Sequence, residues 1–277
     1  MDDFGELSSC TIPRMFTARL KEASTLKKVV DAIKDLVNEA NFLCTSDGLQ
    51  MQAMDKSHVA LICLTMLSDG FIEYDCPSDF TLGLNVSLLS KILKCAENND
   101  SLRLEADADG ECLNVTFESP NGQRTSTFEV RRMDIDGEQI EIPDTEYQCS
   151  VKMPCSQFKK VVGDLSLLGE TCSLEVKKGE VVFSLSSEVG GNAQFALKED
   201  KTAKREMDQT AVDVDEDDRR VKMAFAVGYL SQFAKTSGIS EQVGIFMSDG
   251  MPLYITYDMG EVGSVGYYLA PKIMGDD

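Results

Sequence analysis

The sequence predicts an α+β fold made of two similar domains, each holding two copies of a unit with one helix and a small β-sheet. Three observations predict it. A helical hydrophobic period occurs four times along the chain. A turn signal follows each occurrence at almost the same distance. Apolar residues alternate with polar ones beside each turn.

The first helical segment has Leu26, Val29, Val30 and Ile33 at spacing i, i+3, i+4, i+7, which is one face of a helix. The spacing returns at Leu89, Ile92, Leu93 and Ala96, and again at Phe158, Val161, Val162 and Leu165. A weaker copy has Leu230, Phe233 and Ala234, with Ser237 in the last apolar position. The glycines of Asp47-Gly48, Asp109-Gly110, Lys178-Gly179 and Asp249-Gly250 close the four units at matching distances. These pairs predict tight hairpins in which both turn residues take positive φ. The flanks alternate as half-buried strands should: Leu49, Met51, Ala53; Leu102, Leu104, Ala106; Val181, Phe183, Leu185; Leu253, Ile255, Tyr257. Further alternating segments, His58 to Leu64 and Thr125 to Val130, follow the hairpins.

Units one and two make a first domain at 15–131, and units three and four a second at 144–277. The connector, 132–143, has no helical period and ends in Ile142-Pro143, which favours extended backbone. It is expected to cross the surface. Residues 1–14 are an N-terminal extension, expected to be disordered. They lack the basic start and apolar run of a signal peptide, and no long uninterrupted apolar stretch predicts a membrane span, so an intracellular protein is expected.

Nine cysteines, with no Cys-x-x-Cys pair, predict free thiols in a reducing compartment, not a zinc site. Cys44, Cys63, Cys95, Cys112 and Cys172 sit in apolar runs and are expected to be buried. The net charge of −20 argues against tight binding of nucleic acid by bulk charge. The helices depart from that background. Lys27, Lys28, Lys34, Lys91, Lys94, Lys159, Lys160 and Lys235 face only Asp31, Asp35 and Asp164. Their apolar faces are buried, so the lysines lie on exposed faces, and four helices on one side would make that side basic.

Chemistry is sparse. His58 is the single histidine, which excludes a two-histidine metal site. There is no Gly-x-Ser-x-Gly elbow, phosphate loop or dinucleotide turn. The acidic run Asp213 to Asp218 is expected to be a solvated loop. No enzyme activity, cofactor or metal is expected. On the residues alone, the basic helix face points to DNA, while a monomeric repeat scaffold and a metal-dependent enzyme working through carboxylates stand as alternatives. The last predicts a clustered acid set, which the sequence lacks.

Several stretches go beyond amphipathicity: Leu26-Lys27-Lys28-Val29, Lys34-Asp35-Leu36-Val37-Asn38-Glu39-Ala40, Met54-Asp55-Lys56-Ser57-His58-Val59, Ser90-Lys91-Ile92-Leu93-Lys94-Cys95-Ala96, Val151-Lys152-Met153-Pro154 and Tyr268-Leu269-Ala270-Pro271-Lys272-Ile273. In these the chain resembles proliferating cell nuclear antigen, the eukaryotic DNA sliding clamp, over about Met15 to Ile273. The resemblance implies a head-to-tail homotrimer, a pseudo-sixfold ring with helices lining the hole and sheets outside. It implies a nuclear replication and repair protein that encircles double-stranded DNA without sequence preference. It also implies an ATP-driven clamp loader, and docking of DNA polymerase, flap nuclease, ligase and repair proteins through short glutamine-led motifs. Such a clamp confers processivity on the replicative polymerase.

The resemblance also assigns residues. Arg19, Lys27, Lys28, Lys34, Lys91, Lys94, Lys160 and Lys235 are expected to face DNA. Met54, His58, Val59, Leu61, Ile140, Ile142, Pro252, Tyr268, Ala270, Pro271, Lys272 and Ile273 are expected to form the groove for partner peptides, with Ala270 and Lys272 offering backbone bonds. Phe128, Val130, Gly191 and Phe195 are expected at the subunit interface, where Thr125 to Val130 pairs with about Gly191 to Leu197. Lys178 matches the family's main ubiquitin acceptor. The sequence departs from the family in residues 1–14, in a longer 199–220 loop, and in Gly163 and Gly228, where arginine is common.

Overall fold

The computed structural model describes residues 15–137, 140–142, 145–187 and 191–272; residues 1–14 of the expected extension lie outside these. Unit one comprises β1 (Met15–Leu20), α1 (Ala23–Ile33), β2 (Glu39–Thr45), β3 (Gly48–Met54) and β4 (Ala60–Leu67), followed by a short β5 (Glu73–Asp75). Unit two is β6 (Phe80–Asn85), α2 (Val86–Leu93), β7 (Ser101–Asp107), β8 (Cys112–Glu118) and β9 (Thr125–Arg131). Unit three is β10 (Cys149–Pro154), α3 (Cys155–Ser166), β11 (Thr171–Lys177), β12 (Glu180–Ser187) and β13 (Gly191–Lys198), and a short β14 (Ala211–Val214) follows it. Unit four is β15 (Arg220–Ala226), α4 (Val227–Phe233), β16 (Gln242–Met247), β17 (Leu253–Asp258) and β18 (Gly263–Leu269). Each unit thus opens with a strand before its helix, which the helical period alone does not reveal.

All four helices lie where the period predicts, and their periodic apolar residues are buried. Each start has its own cause. Asn85 accepts a hydrogen bond from the Leu88 amide at 2.7 Å and caps α2. The first amide of α1, Ala23 N–H, is bonded by the Asp100 carbonyl at 2.7 Å. The Asp100 side chain is buried and held by Arg124. The weak fourth copy gives the shortest α-helix, which tightens into a 3₁₀ turn at Ala234–Gly238. There Thr236 is buried and bonded to the Tyr267 hydroxyl at 2.6 Å.

The opening strands explain why the units come in pairs. β1 pairs with β7 of unit two, and β6 pairs with β2 of unit one. In the same way β10 pairs with β16, and β15 with β11. Neither unit can complete its sheet without the other. The result is three antiparallel sheets, ordered β5-β1-β7-β8-β9, β14-β10-β16-β17-β18-β4-β3-β2-β6 and β13-β12-β11-β15. The nine-stranded sheet spans both domains through β4 and β18, in register from Ala60↔Leu269 to Met66↔Gly263.

The hairpins form where predicted, with a different turn geometry. Of the eight paired turn residues, only Gly48, Gly179 and Gly250 have positive φ, and Gly110 does not. At Ser46-Asp47 the Thr45 hydroxyl accepts from the Asp47 amide, so a side chain supports the turn and Gly48 opens β3. The Asp109 and Asp249 loops are longer than two residues, since the ladders stop at Ala106↔Leu113 and Phe246↔Tyr254. Two other expectations change. Asp213 belongs to β14, so only the end of the acidic run is a loop, tied down by Arg219 to Asp215 at 3.0 Å and to Glu216 at 3.1 Å. Of the five cysteines expected inside, Cys44 and Cys172 are buried, Cys63 and Cys112 are half-buried, and Cys95 is exposed in the turn that follows α2. The described cysteines are free thiols. Burial pushes the thiols of Cys172 and Cys155 up to about 11 and about 12.

A buried carboxylate links the two domains. Asp55 accepts from the amides of Ser57, Val59 and Ala60 at 2.7 to 2.9 Å, and from the Tyr229 hydroxyl of α4 at 2.6 Å. Burial raises its pKa, but the Tyr229 and amide hydrogen bonds outweigh burial and hold it below the usual carboxylate value. A group held low contributes stability above its unfolded pKa and loses it as pH falls through the folded one. Tyr229→Phe should therefore cost about 1–2 kcal/mol at pH 7, and the difference from the parent should shrink below about pH 4 as Asp55 protonates. Thermal unfolding of both proteins across pH 3–7 checks this.

Candidate DNA-facing surface and partner groove

The helices form one continuous row on one side of the sheets. α1 packs on α2, α3 packs on α4, and the 3₁₀ turn at Ala234–Gly238 touches both α1 and α3. Lys28, Lys91, Lys94, Lys159 and Lys160 are exposed and Lys27 is half-buried, so the row has a basic outer surface. Two expected members are already paired. Lys34 binds Asp31 one turn away, and Lys235 binds Asp35 across the domain junction at 2.7 Å. The Lys235 ammonium holds the Asp35 carboxyl below its usual range.

Arg19 does not belong to this row. Phe16, Ala18 and Leu20 of β1 are buried toward the core, so strand alternation puts Arg19 on the opposite face. There it binds Glu118 at 3.2 Å. Gly163 and Gly228 are exposed on α3 and α4, and a Cβ at either would meet no atom within 4 Å. No steric demand explains glycine at those positions, and the row is thinner there.

Among the strands that end their sheets are the last strands of units two and three, β9 in the five-stranded sheet and β13 in the four-stranded one. Phe128 on β9 is half-buried and packs edge-on against Phe117 at 5.8 Å. Phe195 on β13 is also half-buried against the core. Val130 differs from expectation. It is 1% exposed, inside its own domain, so only its backbone is available at the edge. Gly191 opens β13 with φ of 84° and is exposed. Lys178 sits in the turn between β11 and β12, 62% exposed, with Asp217 at 2.8 Å.

On the sheet face away from the helices, Met54, His58, Leu61, Ile140 and Ile142 line one groove of about 620 Å³, together with Gln52, Cys63 and Ile135. The connector forms one wall because it is bonded to the sheet. Met133 N–H bonds Gly83 O at 2.8 Å, Asn41 Nδ2 bonds Ile135 O at 2.8 Å, and Ile140 N–H bonds Gln52 Oε1 at 3.1 Å. Ile140 and Ile142 stay exposed, while Leu61 is buried at the floor. His58 has φ of 56°, the one non-glycine residue among those described with positive φ. The Asp55 bonds to the surrounding amides hold that turn and set His58 at the rim.

Tyr268 stands directly opposite Leu61 in register and so shares its face. Ala270 lies beside Val59, bonding its carbonyl at 3.0 Å. The Ala270 and Lys272 amides are both used within the chain, the latter on Ala224 O at 2.7 Å. Lys272 instead borders a second cleft of about 610 Å³ between the domains, with Asp35, Asp55 and Tyr229. Val59, Pro252, Tyr268, Ala270 and Pro271 do not line the groove, and Ile273 lies outside the described residues.

The groove residues are the start of a longer line. Directly opposed residues run Met54, Leu61, Tyr268, Tyr254, Phe246, Ser150 and Asp213 across both domains. Phe246 and Tyr254 were legible as apolar residues on the polar side of alternating strands, and Tyr147 stacks over them. Among the described residues no helix is long and apolar enough to cross a membrane.

Two protein-family models match the chain. Residues 15–139 match the N-terminal domain of proliferating cell nuclear antigen, and residues 141–272 match its C-terminal domain. Four helices on one side of sheets that run through two paired-unit domains, matched over nearly the whole chain, make this protein a member of the proliferating cell nuclear antigen family of DNA sliding clamps.

Proposed function

We propose that this clamp is the subunit of a homotrimeric ring that encircles double-stranded DNA in the nucleus, confers processivity on the replicative DNA polymerase and docks replication and repair proteins. The observation that carries the reading is the seam inside one chain. The last strand of unit one, β4, pairs with the last strand of unit four, β18. The last strands of units two and three, β9 and β13, are sheet edges; of the other four edges, β5 and β14 are short, and β6 and β15 each take a bond from a flanking amide, Met133 and Lys272. An exposed sheet edge is a liability unless something pairs with it. A second seam like the first would join β9 of one chain to β13 of the next and repeat head to tail until the ring closes.

Internal equivalence gives the register. Met66, Val130, Leu197 and Leu269 hold the same place in their hairpins, opposite Leu49, Leu113, Val181 and Leu253. Carrying over the β4–β18 register sets Val130 opposite Gly191, Phe128 opposite Ala193 and Ser126 opposite Phe195. Gly191 then matches Gly263, and both have positive φ. The helix ends agree. Leu168 corresponds to Leu36, which is 8% exposed, yet Leu168 is 44% exposed and Leu167 83%. A neighbouring copy would cover both. Phe128→Ala should leave monomers at micromolar concentration. Multi-angle light scattering that still finds only trimers would rule out this seam.

The ring reconciles acidity with DNA. Topology keeps the clamp on, so the lysine row needs only weak, sequence-independent contact with phosphate. Lys27, Lys28, Lys91, Lys94 and Lys160 carry that contact, with Lys34 and Lys235 held in ion pairs beside them. Replacing Lys27, Lys91 and Lys94 together by alanine should lower processive synthesis several-fold while scattering still reports the trimer. Unchanged processivity would remove these lysines from the DNA-facing role.

Partners reach the ring through the groove. A glutamine-led motif with an aliphatic residue and two aromatics would fill the space between Leu61, Tyr268 and the connector, at micromolar strength, about −8 kcal/mol. Clamp loader, flap nuclease, ligase and repair proteins share that site, and Lys178 is the ubiquitin acceptor on another face. Ile142→Ala should weaken the peptide about tenfold by calorimetry and leave the melting temperature nearly unchanged, since the side chain is exposed. Equal affinity in Ile140→Ala and Ile142→Ala would take the connector out of the site.

A further inference from the structure

The line of opposed residues does not stop at the groove. Past Tyr268 it becomes aromatic: Tyr254 stacks on Tyr268 with ring centroids 4.5 Å apart and planes 20° from parallel. Phe246 lies 5.6 Å beyond Tyr254, and Tyr147 sits 5.6 Å from Phe246 and 6.1 Å from Tyr254. Two glycines let these rings lie flat across the sheet. A Cβ at Gly266 would stand 2.8 Å from the Tyr254 ring, and one at Gly244 would stand 2.9 Å from the Phe246 ring. All four aromatics stay half-exposed. Among the described residues, no protein cation is recorded over any of these rings.

The charge around the patch has one sign in excess. Asp213 is exposed at the end of the same line, two strands beyond Phe246, which is about 10 Å. Glu146 precedes Tyr147, and the chain as a whole carries −20. Lys152, opposite Gly244 in the neighbouring line, is the opposing cation. Ring faces of negative potential beside carboxylates attract a planar cation, and an arginine can stack on a ring while its guanidinium edge reaches a carboxylate.

We propose that the aromatic line Tyr254–Phe246–Tyr147, ending at Asp213, is a second docking site that holds an arginine-bearing segment of the same partner peptides that enter the groove. The inference rests on the groove reading, because it is the continuity of the line through Tyr268 that brings such a segment here. The groove takes the apolar anchor and the aromatic line takes a flanking cation. Partners that share one anchor motif would then be ranked by their flanks.

The test uses the full chain and synthetic peptides. The bare probe carries only the glutamine-led motif. Two others add Arg-Ala-Arg at the amino or at the carboxyl end, each with an Ala-Ala-Ala control. One of the arginine peptides should bind about 3- to 10-fold tighter than its control at low salt, and the gain should shrink as salt is raised. Phe246→Ala should abolish the gain and Phe246→Tyr should keep it. Phe246 is three strands from Leu61, so the bare peptide should bind both variants as it binds the parent. No gain from either arginine peptide, or a gain that survives Phe246→Ala, overturns the second site while the groove stands. A bare peptide that fails to bind the parent overturns the groove reading and this inference with it.

Discussion

The antiparallel pairing of β4 with β18 is the interaction on which the rest of this molecule depends. It joins the start of the chain to its end and turns two half-sheets into one of nine strands. Both candidate surfaces inherit their geometry from it. On one face, the pairing brings the 3₁₀ turn at Ala234–Gly238 against α1, so the helices form a single row and Lys235 reaches Asp35. On the other face, it sets Tyr268 opposite Leu61 and so continues the line of groove residues into the second domain. The Asp55–Tyr229 bond pins the same junction from the loop that carries His58. A disturbance at the seam would therefore be felt at sites facing opposite directions.

Charge is sorted by secondary structure. The helices carry more lysine than acid, and the rest of the chain carries more acid than base. Two of the lysines, Lys34 and Lys235, are paired with aspartates. Exposed pairs of this kind add little stability. Their effect is on the field the surface presents, since each removes one cation from the row. Gly163 and Gly228 act in the same direction by leaving part of the row without side chains. The basic surface is thus modest and uneven, which suits a protein that must touch phosphate without holding it.

Much of the fold is legible in the sequence, because a helical period and an alternating period leave different marks. The four helices, the buried alternation and the extended connector follow from spacing alone. The opening strands do not, because a strand that pairs outside its own unit carries no local partner signal. The same periods, applied more strictly, would have corrected two site assignments. Phe16, Ala18 and Leu20 turn Arg19 away from the helices, and Val130 continues an inward-facing series. What no period encodes is the state of a backbone amide. The amides of Ala270 and Lys272 are already bonded to carbonyls of the chain. The aromatic line across the outer face is invisible for a related reason, since it brings Tyr147 and Asp213 beside β16, β17 and β18 from far away in sequence.

The exchange of opening strands within each domain bears on how the chain comes to be folded at all. β1 has to wait for β7, and β10 for β16, before either sheet has its centre. Pairing across such separations pays loop-closure entropy before contacts repay it, so these domains should fold slowly for their size. On the ribosome, residues 15–20 stay uncommitted until residue 107 has emerged, and the seam between Ala60 and Leu269 cannot close until translation is almost over. Through all that time β4 is an unfilled template at the edge of a growing sheet, and a cell that makes this protein in quantity has reason to keep chaperones near it.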